Sequence, residues 1–303
     1  TQHAIYMEVY LIRSYFSFNN RPSRGRAKRL MAKIKLDINQ KKDSYIANPY
    51  PCCVAVQKIR LGGRVSSVLA IGGGANNGVV KLFSLPELTL LQTLPPSKNW
   101  ALSYLKGPDF HLISTLEGEI VCFRDDDLRA GITTPSKLAR DFLTETFFFN
   151  HSYWLHSKGM CLYNNNLYFL NENKTLKRIS DVGKVINKEI EADEEEILEE
   201  VDAFDAEDRK GVVAVTSDGE IRILGTSKKE TVIQNATQEV CTCIKWLADN
   251  YIIAAIKRLD NNLSFVLFNQ KLERQDSQTI HSDNREDFVL TISPIEMKKI
   301  SMF

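Results

Sequence analysis

No stretch of this sequence approaches 18 consecutive apolar residues, so no transmembrane helix can be read from it. There is no Cys-x-x-Cys pair and the five histidines are scattered, which removes the usual zinc spacings. Cys52, Cys53, Cys122, Cys161, Cys241 and Cys243 sit inside strand-like runs instead, the pattern of buried free thiols in a reducing, cytoplasmic setting. No Lys-Ser/Thr follows the one glycine run, and a GxGxxG spacing fails at Asn77, so neither phosphate-binding fingerprint is present. His111, His151, His156 and His281 offer no set converging with Asp or Glu, so no catalytic residue or metal ligand is nominated and an enzyme is not the preferred reading. No cofactor is expected from the residues themselves.

An excess of one charge is also missing. The formal net charge is +1, without the basic face of a nucleic-acid-binding domain. That balance hides two opposed segments. Residues 1–30 hold Arg13, Arg21, Arg24, Arg26, Lys28 and Arg29 against Glu8 alone. They show no repeat pattern and read as a disordered basic extension upstream of Met31, with an organellar presequence as the alternative. Glu189 to Asp208 is the opposite: twelve of its twenty residues are Asp or Glu and none is basic. It reads as a solvated insertion between repeats, anchored by Ile197, Leu198, Val201 and Phe204. The functional alternative is an acidic surface that steers a basic partner, with Glu194, Glu195, Glu196, Glu199 and Glu200 as its candidates.

What the chain has in quantity is short β-type runs broken by turn residues. Val68–Ile71 is a continuous apolar run, and Gly72-Gly73-Gly74-Ala75-Asn76-Asn77-Gly78 supplies residues tolerant of positive φ. Val79–Leu85 and Leu88–Leu94 follow as further strands around Pro86-Glu87. Three or four such strands within about 40 residues make one blade of a β-propeller. The first blade runs from about Pro51 to Leu94 and a second from Trp100 to Phe123. Asp125-Asp126-Asp127 then reads as a solvated turn, since its spacing is not that of an EF-hand loop. Thr133–Arg140 reads as a short helical insertion with Pro135 in its first turn. Phe147, Phe148, Phe149, Tyr153 and Trp154 form an aromatic cluster that fits a core or a binding surface. Asn-rich turns at 164–166 and 171–173 mark a third blade, Ser217-Asp218-Gly219 a fourth, and Glu239–Asn269 a fifth. His281–Ser293 resembles the opening of a sixth repeat, so the expectation is an all-β, WD-type β-propeller of five blades and a partial sixth over 31–303, incomplete or a fragment unless N-terminal strands close the ring.

The layout from Pro51 to Ser293 resembles the WD-repeat superfamily, although no Trp-Asp dipeptide occurs. Within it, Tyr50-Pro51, a strand, and LAIGGGANNG resemble the first blade of the endoplasmic-reticulum exchange factors that load GTP onto the small GTPase of COPII vesicle coats, the prolactin regulatory element-binding protein family. Cys243–Leu267 is similar to a later blade of its fungal members. The resemblance implies a guanine-nucleotide exchange role at the cytosolic face of the endoplasmic reticulum, with a small GTPase as partner. It also implies a monovalent cation supporting the loop formed by Gly72, Gly73, Gly74, Asn76, Asn77 and Gly78. This loop is shorter than the family's and has three glycines in place of four. The competing expectation is a non-catalytic scaffold propeller, such as the N-terminal domain of a nucleoporin.

Overall fold

The computed structural model describes residues 5–12, 28–36, 51–61, 64–73, 78–85, 87–97, 100–139, 145–149, 152–156, 159–207, 210–225, 229–231, 240–247, 250–257 and 263–280. Ile5–Ile12 (β1) pairs antiparallel with Lys28–Leu36 (β2). The segment read as a disordered extension therefore has a strand at each end, while Arg13, Arg21, Arg24 and Arg26 lie outside the described residues.

Five four-stranded antiparallel sheets follow in the described residues. Blade I is Pro51–Leu61 (β3), Arg64–Gly73 (β4), Val80–Ser84 (β5) and Leu90–Thr93 (β6). Blade II is Ala101–Lys106 (β7), Phe110–Thr115 (β8), Ile120–Arg124 (β9) and Ser136–Ala139 (β10), with the short helix Asp125–Arg129 (α1) before its last strand. Two residue assignments differ from the sequence reading here: the Asp triplet opens a helical turn, and the supposed helical insertion is the outer strand β10. Glu145–Phe149 (β11) and Ser152–His156 (β12) form a separate hairpin that carries the aromatic cluster, with Phe147 opposite Trp154 and Phe148 opposite Tyr153.

Blade III is Met160–Tyr163 (β13), Asn166–Leu170 (β14), Leu176–Ile179 (β15) and Glu194–Leu198 (β16), with Val182–Ile186 (α2) before β16. Blade IV is Val201–Glu207 (β17), Gly211–Thr216 (β18), Glu220–Ile223 (β19) and Lys229–Thr231 (β20). Blade V is Val240–Trp246 (β21), Ile252–Lys257 (β22), Leu263–Phe268 (β23) and Arg274–Ile280 (β24). The acidic stretch is thus no insertion. It supplies the outer strand of blade III, the connection to blade IV, and that blade's inner strand. The partial sixth repeat at His281–Ser293 lies outside the described residues.

Side-chain alternation explains how the blades stack. Neighbouring residues of a strand point to opposite faces, and in β14 Leu167 and Phe169 enter one apolar cluster while Tyr168 and Leu170 enter the next. Similarly Leu112 faces blade III and Ile113 faces blade I, and Val212 and Val213 divide between blades III and V. Strands buried on both faces need apolar residues at every position, which is why these runs are continuous rather than alternating. The four clusters lie between consecutive blades, giving the five-bladed propeller arrangement expected from the turns. Inner strands lie side by side: the Gln57 side chain of β3 bonds the Tyr104 carbonyl and the Lys106 amide of β7 at 3.0 and 2.8 Å.

Because every blade is a meander of one strand order, the turns between second and third strands and the connections between blades share one end of the propeller. We call it the upper end.

Candidate interaction site

The upper end holds Gly72, Gly73, Gly78, Glu199 and Glu200, whereas Glu194 opens β16 at the opposite end, beside Ile179. Gly72 and Gly73 close β4, and Gly72 is buried. Gly78 is buried with φ +81°, a backbone that favours glycine, and its carbonyl accepts the Ser97 hydroxyl at 3.3 Å. Gly74, Asn76 and Asn77 lie outside the described residues.

The acidic candidates separate into two groups. Glu194 and Glu195 on β16 face basic residues of β15: Lys177 reaches Glu194 at 3.0 Å, and Arg178 pairs with Glu195. Their charge is matched within the blade. Glu196, Glu199 and Glu200 are exposed and form no ion pair with a described residue. They line an open cleft of about 620 Å³ with Ile197, Leu198, Thr216, Asp218 and Arg222. Its two walls are the β16–β17 connection and the Ser217-Asp218-Gly219 turn of blade IV, tied together where the Ser217 amide donates to the Glu200 carbonyl at 2.6 Å.

Below the cleft, Asp202 accepts from Lys174 at 2.9 Å and from the Ser217 hydroxyl at 3.0 Å, which joins turns of blades III and IV. Asp218 bonds the Thr216 hydroxyl, and this bond holds its carboxyl below the usual range, so the group stays ionised. Arg222, the cleft's one cation, is already bound to Glu220 at 2.7 and 3.1 Å. The opening therefore presents Glu196, Glu199, Glu200 and Asp218 over the half-buried Ile197 and Leu198, which pack on the blade III–IV core. The sequence treated Asp218 only as a turn residue; its role depends on a strand pairing made 18 residues from Glu200.

Two polar clusters away from this cleft are structural. His111 is 2 % exposed. Its Nε2 lies 2.9 Å from Asp125 and its Nδ1 3.0 Å from the Tyr104 hydroxyl, while Lys106 also binds Asp125 at 2.9 Å. The sequence showed no Asp or Glu converging on His111, and the structure supplies one in Asp125. A Tyr–His–Asp row resembles a relay, but Tyr104 is only 3 % exposed and offers a substrate no approach. On the inner strands of blades III to V, Asp205 gathers Lys245 at 2.6 Å, the Trp246 amide at 2.9 Å and the Cys161 thiol at 3.5 Å. Cys122, Cys161, Cys241 and Cys243 are buried and unbridged by disulfides, as their strand positions implied. Among the described residues no cluster of three or more His, Cys, Asp or Glu has metal-binding geometry, and no helix is long and apolar enough to cross a membrane.

No family model and no curated protein matches the chain. Among solved structures it is similar to BBS1N in complex with ARL6DN, at 11 % identity and a TM-score of 0.53, over 78 % of this chain and 69 % of that one. Its fold is that of the WD-type propellers. It is also similar to the Cps50 (Swd1) β-propeller domain of Myceliophteria thermophila, at 11 % identity and a TM-score of 0.47, over 71 % of this chain and 65 % of that one. The computationally designed Ika8 protein matches at 13 % identity and a TM-score of 0.43, over 75 % and 60 %. The chain spans 60 to 69 % of the length of these propellers.

Proposed function

We propose that this propeller is a non-catalytic protein-interaction module that binds a basic segment of a partner at its upper end. The observation that carries this is the cleft between blades III and IV, where Glu196, Glu199, Glu200 and Asp218 face an opening whose one arginine is already neutralised by Glu220. Carboxylates gathered at one rim attract cationic side chains, and the half-buried Ile197 and Leu198 below them accept the aliphatic stem of a Lys or Arg. BBS1N, of the same fold, was solved in complex with a second protein, ARL6DN, which supports a protein partner. Fluorescence anisotropy with a lysine- and arginine-rich peptide tests this. The wild-type chain binds it at low salt, and E196Q/E199Q/E200Q binds about tenfold more weakly, or about 1.4 kcal/mol. Equal affinity for both proteins would overturn the proposal.

A second reading makes the partner a small GTPase and the module an exchange factor at the cytosolic face of the endoplasmic reticulum. Support comes from the resemblance of LAIGGGANNG and from the place of Gly72 and Gly78 at the same end as the acidic cleft. The GTPase would be engaged by the turn containing Gly72, Gly73, Gly74, Asn76, Asn77 and Gly78, with a monovalent cation supporting it. GDP release from the coat GTPase, measured with wild type and N76A/N77A, decides between the readings. Acceleration lost in the variant favours exchange; no acceleration by wild type leaves the scaffold, of which a nucleoporin-type domain is one form.

A further inference from the structure

We propose that the far face of blade I, the one turned away from blade II, is the docking face of this chain's own β1–β2 hairpin. Leu69 and Ile71 lie on that face and are 3 % and 5 % exposed. Their neighbours Val68 and Ala70 point the other way, into the cluster between blades I and II. Leu69 and Ile71 belong to none of the four clusters that join the described blades. Half-buried Val56 and Phe83 stand opposite Leu69 on β3 and β5 and complete an apolar patch. Side chains stand upright on a sheet, so on a bare face these two would keep part of their surface in water. The patch is therefore covered, and the cover comes from within one chain.

Pattern and pairing select the hairpin. Its register sets Ile5, Met7 and Val9 of β1 opposite Leu36, Ile34 and Ala32 of β2, and Tyr6 and Glu8 opposite Lys35 and Lys33. Residues two apart in a strand share a face, so the pattern gives one apolar face and one polar face. The sheet has two strands only. A lone two-stranded hairpin is marginal in water and needs its apolar face packed on another element. The second hairpin, β11–β12, fits less well. Its aromatic pairs fall on both faces, and β12 already runs beside β3 and β7. Residues 37–50 alone separate β2 from β3, the first strand of blade I, which places the hairpin next to blade I in the chain. Blade V also buries Ile253, Ala255 and Leu267 outside the four clusters, but the residues adjoining it there are those after β24. The docking extends the stack by one sheet on the blade I side and does not depend on the acidic cleft binding anything.

Thermal unfolding of paired variants of the full chain is the test. I34A and I71A each lower the melting temperature, and I34A/I71A lowers it by less than the two shifts added, because the second truncation removes a contact already lost. I34A/I253A gives the plain sum. Amide hydrogen exchange of the wild type reads the same contact without a substitution: β1 and β2 exchange at least about a hundredfold more slowly than an unfolded chain, in step with β4. Additive shifts for I34A/I71A, a non-additive I34A/I253A pair, or β1 and β2 amides exchanging at unfolded-chain rates would overturn the proposal.

Discussion

Asp205 of β17 holds Lys245 of β21 at 2.6 Å and, through its other oxygen, the Trp246 amide at 2.9 Å, so one carboxylate fastens the inner strands of blades IV and V. Burial alone would lower the Lys245 pKa, but Asp205 outweighs it and holds the ammonium above the usual lysine range. The Lys245 ammonium stays charged at neutral pH. Removing the carboxylate leaves a buried amide without its acceptor and a cation, 30 % exposed, without its partner. The D205A substitution is expected to cost about 2–4 kcal/mol in urea unfolding, and D205N, which keeps an oxygen for the Trp246 amide, clearly less. A cost below about 1 kcal/mol for D205A would show that the strands are held elsewhere.

His111 makes stability depend on acid. Burial and, secondarily, Lys106 lower its pKa to about 4, against the opposing pull of Asp125. The unfolded chain takes up this proton near pH 6.5 and the folded chain only near pH 4, so the contribution is complete above pH 6.5 and falls as the pH drops toward 4. The loss is up to about 3 kcal/mol. Urea midpoints across that window decline for the wild type, and H111Q flattens the decline. Equal slopes for the two proteins would remove His111 as the cause.

Thiol chemistry follows from burial. Cys122 is pushed up to about 12, mainly by burial and then by Asp109, and Cys161 to about 12 by burial and then by Asp205. Both are thiols at neutral pH, and the thiolate is the reactive form. Neither is expected to react with Ellman's reagent until the chain unfolds. Rapid modification of either in the native protein, located by mass spectrometry, would contradict their placement.

Gly107 has no room for a side chain. A Cβ there would collide with the Phe110 ring, which is 2 % exposed in the blade II–III core. G107A therefore displaces a packed ring at a cost of about 1–3 kcal/mol. A thermal midpoint equal to wild type would show that the ring moves freely.

Most of the fold was legible because tight turns are written locally. Asn164 and Asn165 adopt φ +48° and +62° between β13 and β14, and Gly219 adopts +85° between β18 and β19, as their residue types announce. The acidic strand β16 was not legible, since twelve acids in twenty residues suggest a solvated loop. What makes it a strand is the matching Lys177 and Arg178 on β15, seventeen residues earlier. Strand β10 was hidden in the same way: Ser136–Ala139 is short and helix-tolerant, and only pairing with β9 selects the extended state. The cleft shared both difficulties, because its walls come from two blades. Glu199 and Glu200 were visible as charge, whereas the neutralisation of Glu194 and Glu195 and the addition of Asp218 required the strand register.

In the proposed function, charge at this cleft chooses the partner. A charge exchange tests it most directly: wild type and E199K/E200K are titrated with a lysine-rich peptide and with its glutamate-substituted counterpart at low salt. The wild type is predicted to prefer the basic peptide by about tenfold, and the variant to lose or reverse that preference. An unchanged preference for the basic peptide in a folded E199K/E200K would show that these carboxylates do not choose the partner.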